Sequence, residues 1–448
     1  MRDYVFVLFF VALIPVCVFR PFVGVLAWSW VSYFNPHEFT WGFARTLPVA
    51  EVVALATILG LLLTRKRKFP AWSRETALLI MLWVWFGFTT LNCRYFSPEF
   101  ADHAAAAVTK YTTVCKILFM TFVSLALVID EKRLRWWYLV TAGSFALFAF
   151  KSTLFGIVTA GHFRVYGPPN SMIADNNDFG LAMNMALPMF WCLARTESSR
   201  KLRLAFRAAF VCGIVAVVLS YSRGALLGLA VVLVALSWRS RRRLLAFAAI
   251  GAAGILLLAL LPGQWTQRME TLRQGRAATD TSAESRIQSW TFATRLALAH
   301  PVLGGGFETF TPSLYERFYV VGGTGGGGIG PHSIYFQALA EHGFPGLLLF
   351  LALGASCLWS CRKLRSRFRR SGQFPALADY AVMSQVSLLA FLISGAFLGR
   401  AYFDLYYQIV ATVIVLKYLA RRQLTAPNTE TTEEAGEFQT VPVSTLPV

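Results

Sequence analysis

Charged residues are scarce in this chain of 448 residues, and acidic residues are scarcer than basic ones. Asp, Glu, Lys and Arg make up 15% of the sequence, against roughly 25% in soluble globular proteins. Hydrophobic residues reach 56%, and apolar runs of membrane-spanning length recur along the chain. The alternation of a membrane β-barrel is also missing. The sequence therefore predicts an all-α polytopic membrane protein.

The sequence also lacks the cysteine spacing of disulfide frameworks and zinc sites, and its first apolar run lacks the features of a signal peptide. The seven cysteines lie in or beside apolar runs, and no pair has the spacing of a disulfide framework or a zinc site. The first apolar run lacks a small-residue cleavage site and continues through Arg20-Pro21 into more apolar sequence. We therefore expect no cleavable signal peptide.

The excess of positive charge follows the membrane topology. The formal net charge is +19, but the basic residues cluster in short segments between apolar runs. These segments are 65–68, 132–135, 195–207, 239–243 and 362–370. This placement is the positive-inside pattern, and it argues against a nucleic-acid partner. We expect these segments to face the cytoplasm.

The apolar runs predict about 12 transmembrane helices in one domain, residues 1–422. After the N-terminal stretch 4–35, the spans are 48–64, 76–92, 111–129, 136–156, 179–195, 204–221, 223–238, 244–262, 335–360, 382–400 and 404–420. The N-terminal stretch is interrupted at Arg20-Pro21. It crosses either once, with both termini inside, or twice as short helices, with the N-terminus outside; we favour one crossing. The polar tail 423–448 is expected to be disordered and cytoplasmic.

This topology puts four segments on the outer face: 93–110, 157–178, Ser220–Arg223 and a long polar loop, 263–334. A polar loop of this length between membrane spans is typical of an active site or a lid. The glycine run 322–330 within it has no Gly-Lys-Ser/Thr sequence and no preceding strand. A flexible hinge is therefore favoured over a phosphate-binding loop.

Two arginines of the outer segments are candidates for binding an anion. Arg223 begins an apolar helix, and both a helix N-terminus and a guanidinium group favour negative charge. Arg286, Trp290 and Thr294 have helical spacing, so this part of the loop is predicted to form a helix along the membrane. The structural alternatives are a snorkelling Arg223 and a solvated Arg286.

His332 is the candidate for proton transfer, since histidine is the side chain that titrates near neutral pH. It follows the glycine run and precedes the next span, so it is placed at the top of a transmembrane helix. A purely structural role is the alternative. His342, within Glu341-His342-Gly343, is predicted to have such a role at a helix kink or end.

The segment 157–178 supplies further candidates for substrate binding: Arg164 and Asn177, together with Lys151 just before it and Tyr221 beside Arg223. Asp175 and Asp178 are three residues apart, but two carboxylates with no partner histidine indicate a metal site only weakly. Capping of the following helix by Asn177 or Asp178 is the favoured interpretation.

Several short motifs occur in an order that resembles the O-antigen ligase and polymerase superfamily. They are Ser222-Arg223-Gly224, Gly304-Gly305-Gly306-Phe307, His332-Ser333-Ile334-Tyr335 and Glu341-His342-Gly343. In the N-terminal part, Arg20-Pro21, Asn35-Pro36-His37 and Trp41-Gly42-Phe43 further resemble the exosortase-associated branch of O-glycosylation ligases. One departure is Ser333, because many members have Asn after the histidine.

The resemblance implies a GT-C-like glycosyltransferase in the bacterial inner membrane with a periplasmic active site. Such a protein transfers a glycan from undecaprenyl diphosphate to a hydroxyl of lipid A-core or of a protein Ser or Thr. Arg223 and Arg286 then hold the diphosphate, and His332 is the essential histidine. Neither a metal nor another cofactor is expected. The partners are the donor lipid, the acceptor and membrane lipids.

Two alternatives stay open at this point. A repeat-unit polymerase of the same superfamily differs only in its acceptor, which the sequence does not reveal. A transporter of lipid-linked sugars is the reading from a different class. It is less favoured, because the candidate residues lie at the outer edge and no internal repeat is evident.

Overall fold

The computed structural model describes residues 1–64, 72–239, 243–245, 247–248, 251–252, 281–319 and 330–425, and its regular elements there are helices. The main helices are α1 (Arg2–Phe19), α2 (Pro21–Phe34), α3 (Val49–Leu63), α4 (Arg74–Leu91), α5 (Ala104–Leu127), α6 (Glu131–Val158), α7 (Asn176–Thr196), α8 (Arg200–Leu219), α9 (Arg223–Ser237), α10 (Thr281–Ala299), α11 (Pro312–Tyr319), α12 (Ile334–Ser371), α13 (Pro375–Ser394) and α14 (Asp404–Thr425). The predicted all-α class is confirmed.

Seven helices of the described residues are long and apolar enough to cross a membrane, and three shorter apolar helices accompany them. The chain is thus a multi-pass membrane protein. The predicted total of about 12 spans stays a prediction. Most of the predicted span 244–262, much of the loop 263–334, the segment 65–68 and nearly all of the tail 423–448 lie outside the described residues.

The N-terminal stretch forms two helices that fold back on each other. The chain breaks at Arg20, and Pro21 begins α2. The rings of Phe10 and Trp30 stack with centroids 5.9 Å apart, although they lie on opposite sides of the break. Asp3 accepts hydrogen bonds from the backbone of the segment that follows α2. A hairpin of two short helices fits the second alternative for this stretch better than the favoured single crossing, and the number of crossings stays a prediction.

The basic segments that the structure describes, 132–135, 195–207 and 362–370 together with Arg239, share one end of the bundle. Glu197, between α7 and α8, accepts a hydrogen bond from Arg135 in α6 at 2.7 Å, and Arg195 lies 3.5 Å from Asp379 in α13. At the opposite end, Asn170 reaches Glu38 at 3.3 Å. We call these the basic end and the outer end. The grouping agrees with the pattern from which the topology was predicted.

The centre of the bundle consists of α7, α13 and α14, most of whose residues are buried. In the most apolar window of α13, 72% of residues are buried, against 11% in α1. A helix that is apolar around its whole circumference is stable only when neighbours or lipid surround it. The packed central helices therefore support the loops at the outer end of the bundle.

One predicted span ends earlier than expected. The apolar run 382–400 forms a helix only to Ser394, and a short 3₁₀ turn follows. The segment before α14 packs closely against the residues that precede α12. A Cβ added to Gly399 would lie only 2.2 Å from Cγ of Pro331. Arg400 therefore lies in a connecting segment at the outer end, and not inside a span.

Helix α12 bends at Gly343, where φ is 67° and ψ is −172°. The Gly304–Phe307 motif docks on this bend: Gly305 N donates to the carbonyl of Ala340 at 2.8 Å. The buried His342 contacts Thr89 at 2.8 Å and Tyr402 at 2.8 Å. These contacts agree with the predicted structural role of His342 at a kink.

Replacing Gly343 by Ala is expected to destabilise the protein by at least about 2 kcal/mol, because this backbone conformation is almost confined to glycine. The added Cβ would also lie 2.4 Å from the carbonyl oxygen of Val302. Gly354→Ala, in the regular part of α12, is the control, since the nearest atom to its Cβ is 3.7 Å away. Thermal unfolding in detergent measures both. Equal unfolding temperatures for the two variants would contradict the pinned bend.

Candidate active site

His332 lies at the outer end, immediately before α12. Ser333 caps the helix by accepting a hydrogen bond from Tyr335 N. His332 itself has a φ of 48°, in the left-handed region that non-glycine residues seldom adopt. Such strained residues are common at functional sites. Its Nε2 lies 3.3 Å from the hydroxyl of Ser285 in α10.

Helix α10 packs directly on this part of the chain. Ser289 donates a hydrogen bond to the carbonyl of Gly330 at 2.6 Å and lies 2.8 Å from the hydroxyl of Tyr315. The ring of Trp290 stacks on Phe336, with centroids 5.2 Å apart. The predicted helix through Arg286 is confirmed, and its orientation along the membrane stays a prediction. The helix places Arg286 near the histidine.

The pKa of the His332 imidazole is lowered. Burial is the main cause, the charge of Arg286 adds to it, and Asp175 opposes it. The effects of Arg286 and Asp175 follow from electrostatics, since a nearby cation disfavours a protonated imidazole and a nearby anion favours it. The ring is therefore neutral at pH 7 and can accept a proton.

Two of the three other outer segments, 157–178 and Ser220–Arg223, contact each other, and Asp175 of the first acts on the histidine. Asn176 donates a hydrogen bond to the carbonyl of Ser220 at 2.7 Å, and the hydroxyl of Tyr221 donates to the carbonyl of Gly161. Burial raises the pKa of Tyr221, and the nearby charge of Arg164 opposes the shift. The structure thus brings Arg164 and Tyr221 together. Tyr221 is also left-handed, with a φ of 55°.

Arg223 is the first residue of α9. Ser222 caps the helix, and its hydroxyl accepts a hydrogen bond from Ala225 N at 3.2 Å. The next residue, Gly224, lies against Phe397, three residues before Arg400. The half-buried Arg223 is therefore held at a helix N-terminus of the outer end, as the sequence predicted.

Arg400 is a further residue of the site, and the sequence analysis missed it. Its Nη2 donates to Oδ2 of Asp178 at 2.5 Å. Burial lowers the pKa of Arg400, but the bond to Asp178 and the charges of Asp175 and Glu308 outweigh it and raise the pKa. Asp175 thus acts electrostatically on both Arg400 and His332. We call Asp175, Asp178, Arg286, His332 and Arg400 the outer cluster.

The cap of α7 differs from the prediction. Asp175, and not Asn177 or Asp178, caps this helix, and it accepts hydrogen bonds from the backbone and side chain of Asn177 at 2.8 and 2.9 Å. The prediction was wrong because the helix begins at Asn176, one turn earlier than the apolar run. Asn177 stays a candidate for substrate binding at the edge of the outer cluster.

Lys151, in α6, does not contact the residues of the outer cluster. Its ammonium group sits over the ring of Phe39, 5.5 Å from the centroid, and the side chain is exposed. Its described contact is thus with the segment after α2 and not with the outer cluster. A role in substrate binding stays a prediction for Lys151.

Two protein families match this chain. Residues 208–351 match the Wzy_C family, described as O-antigen ligase, and residues 1–197 match a family of unknown function, DUF5935. The first range contains Arg223, Arg286 and His332. This part of the chain is therefore similar to the O-antigen ligase superfamily. No curated protein matches it.

The outer cluster contains residues from inside and from outside the range that matches O-antigen ligases. Asp175 and Asp178 come from the range of unknown function, and Arg400 lies beyond both ranges. One signal could have found Arg400. Like Arg223, it is a basic residue at the edge of an apolar run and outside the basic clusters that mark the opposite end.

In the part of the chain that the structure describes, no three His, Cys, Asp or Glu side chains come together as metal ligands. Asp178, one of the two carboxylates weighed for such a site, is instead paired with Arg400. The donor set therefore fits an ion pair better than a cation site.

Breaking the pair between Asp178 and Arg400 is expected to destabilise the outer end of the bundle. Asp178→Asn should cost about 1–3 kcal/mol, less than for a fully buried pair, because the Arg400 side chain is 33% exposed. The double variant with Arg400→Gln should lose less than the sum of the single changes. The more exposed pair of Arg195 and Asp379 is the control, and Asp379→Asn should cost well under about 1 kcal/mol. Additive losses in thermal unfolding would show that the first pair is not coupled.

Proposed function

We propose that this protein is an inverting glycosyltransferase of the O-antigen ligase type. It transfers a glycan from a lipid diphosphate, undecaprenyl diphosphate by the family resemblance, to an acceptor hydroxyl. The observation that carries the proposal is the position of His332, a neutral, half-buried imidazole held beside Arg286 at the outer end. The match of residues 208–351 to O-antigen ligases supports it.

The arginines account for the leaving group. A diphosphate leaves readily once its negative charge is neutralised, and guanidinium groups bind phosphate oxygens in a bidentate manner. Arg286 and Arg223 are proposed to bind the diphosphate directly. Arg400, already paired with Asp178, supplies further positive charge to the same region.

His332 accounts for the acceptor. As the acceptor hydroxyl attacks the anomeric carbon, its oxygen forms the new glycosidic bond and its proton passes to the neutral imidazole. The bond from that carbon to the diphosphate oxygen breaks, and the lipid diphosphate leaves with the electron pair. A single in-line displacement of this kind inverts the configuration of the anomeric carbon. Because the arginines neutralise the charge of the diphosphate, the step does not require a metal.

The acceptor decides between ligase and polymerase. Transfer to a lipid A-core sugar or to a protein Ser or Thr defines a ligase, and transfer to a second lipid-linked glycan defines the polymerase alternative. The donor and a lipid acceptor both reside in the bacterial inner membrane, so the outer end is proposed to face the periplasm. The transporter alternative is disfavoured, since the outer cluster lies at one end of the bundle and not at its middle.

Removal of the histidine should separate binding from turnover. In His332→Ala, the donor should still bind while transfer falls by about 10²–10⁴-fold, because the acceptor proton has no base. Arg223→Ala or Arg286→Ala should weaken donor binding or transfer about 10- to 100-fold, and lysine should restore only part of it. Donor affinity and single-turnover rates measure the two effects.

The matched control is His162→Ala, which removes an exposed histidine from the same end. It should leave both quantities unchanged, whereas His342→Ala should mainly reduce folding or expression. Normal turnover by folded His332→Ala protein would remove the histidine from the mechanism.

The pH profile gives an independent check on the electrostatics. Transfer should rise with pH as His332 loses its proton, at a pH below the ordinary histidine pKa of 6.5. Arg286→Gln removes a cation that lowers this pKa, so the rising limb should move to higher pH. Asp175→Asn removes an anion that raises it, so the limb should move to lower pH. Normalised rates measure both shifts, and shifts in the same direction would refute the assignment.

A further inference from the structure

The basic end of the bundle contains a cavity of about 560 Å³ between α4, α12 and α14. Five basic side chains from these helices line it: Arg74, Lys363, Arg367, Lys417 and Arg421. Helix α12 begins beside His332 and reaches this cavity only in its last turns. The cavity is therefore far from the outer cluster and has no part in the proposed transfer.

A single buried carboxylate binds several of the side chains that line the cavity or lie beside it. Glu75 is fully buried and accepts hydrogen bonds from Ser356 at 2.6 Å, Ser360 at 2.7 Å and Lys417 at 2.5 Å. Arg74 lies 3.7 Å from it and donates to Ser356 at 2.7 Å. These bonds tie α4, α12 and α14 together and hold two of the five cations in place.

Two of the other cations, Lys363 and Arg367, form no ion pair with an acidic side chain of the described residues. Lys363 and Arg367 are one turn apart on an exposed face of α12, and Arg421 donates to the carbonyl of Trp72 at 3.3 Å. Like charges held this close repel one another unless an anion is present. The cavity therefore has the charge of a binding site for an anionic group.

Two tryptophans indicate which anion it is. Trp72 and Trp359 line the cavity and are 67% and 54% exposed, and Lys363 lies 5.2 Å from the ring centroid of Trp359. Tryptophan is enriched at the level of the lipid headgroups, where its ring contacts both apolar chains and polar groups. A basic pocket between helices at that level is typical of sites for anionic lipid headgroups.

We propose that this cavity binds the phosphate of an anionic glycerophospholipid. The basic side chains contact the phosphodiester, and the two indole rings border the start of the acyl chains. A bound lipid bridges α4, α12 and α14 and so stabilises the basic end of the bundle.

The test uses the full-length protein in an uncharged detergent. Phosphatidylglycerol should bind and raise the unfolding temperature, whereas phosphatidylcholine with the same acyl chains should have little effect. Lys363→Gln together with Arg367→Gln should weaken phosphatidylglycerol binding by roughly 30-fold. Each basic residue near a lipid surface multiplies the binding constant by a factor of similar size, and the variant removes two such residues. These two side chains are exposed, and the change leaves the bonds of Glu75 intact.

The matched control is Arg200→Gln together with Lys201→Gln, two exposed basic residues at the same end outside the cavity. This variant should bind phosphatidylglycerol as the parent does. Three results would overturn the proposal. They are equal effects of the two lipids, equal losses in the two double variants, and an unfolding temperature raised as much by millimolar inorganic phosphate, which would indicate a site for a small anion.

Discussion

The packing of α10 on the N-terminal end of α12 is the contact on which the candidate site depends. Ser289 binds the carbonyl of Gly330, and Trp290 stacks on Phe336, so the two helices meet just where the chain enters α12. This contact keeps His332 half-buried and places Arg286 close enough to lower its pKa. The imidazole and the guanidinium group are thereby placed near each other before any substrate arrives, as the proposed proton transfer and charge neutralisation require.

The membrane helices could be predicted from the sequence, because length and apolar composition determine them locally. The predicted spans after residue 47 coincide with helices wherever the structure describes them, apart from the early end of α13 at Ser394. The N-terminal hairpin was harder to predict. Its arrangement depends on contacts such as that of Phe10 with Trp30, which join residues on opposite sides of a break.

The residue types of the site could be predicted, but their arrangement could not. His332 and Arg286 were named from their positions and from the family resemblance. The pairing of Asp178 with Arg400 joins residues 222 positions apart, and no local pattern indicates it. Arg400 was also hidden in an apolar run. The shared influence of Asp175 on two partners likewise appears only when the outer segments meet.

The central claim is that this protein forms a glycosidic bond with a lipid-diphosphate donor and needs no metal. The most direct measurement is to incubate the purified protein with a glycan on undecaprenyl diphosphate, with lipid A-core, peptide or lipid-linked glycan acceptors, and with excess EDTA. The account predicts a covalent product with inverted anomeric configuration and one released lipid diphosphate for each glycan transferred. Retained configuration, or transfer that stops in EDTA and returns with a divalent cation, would contradict it.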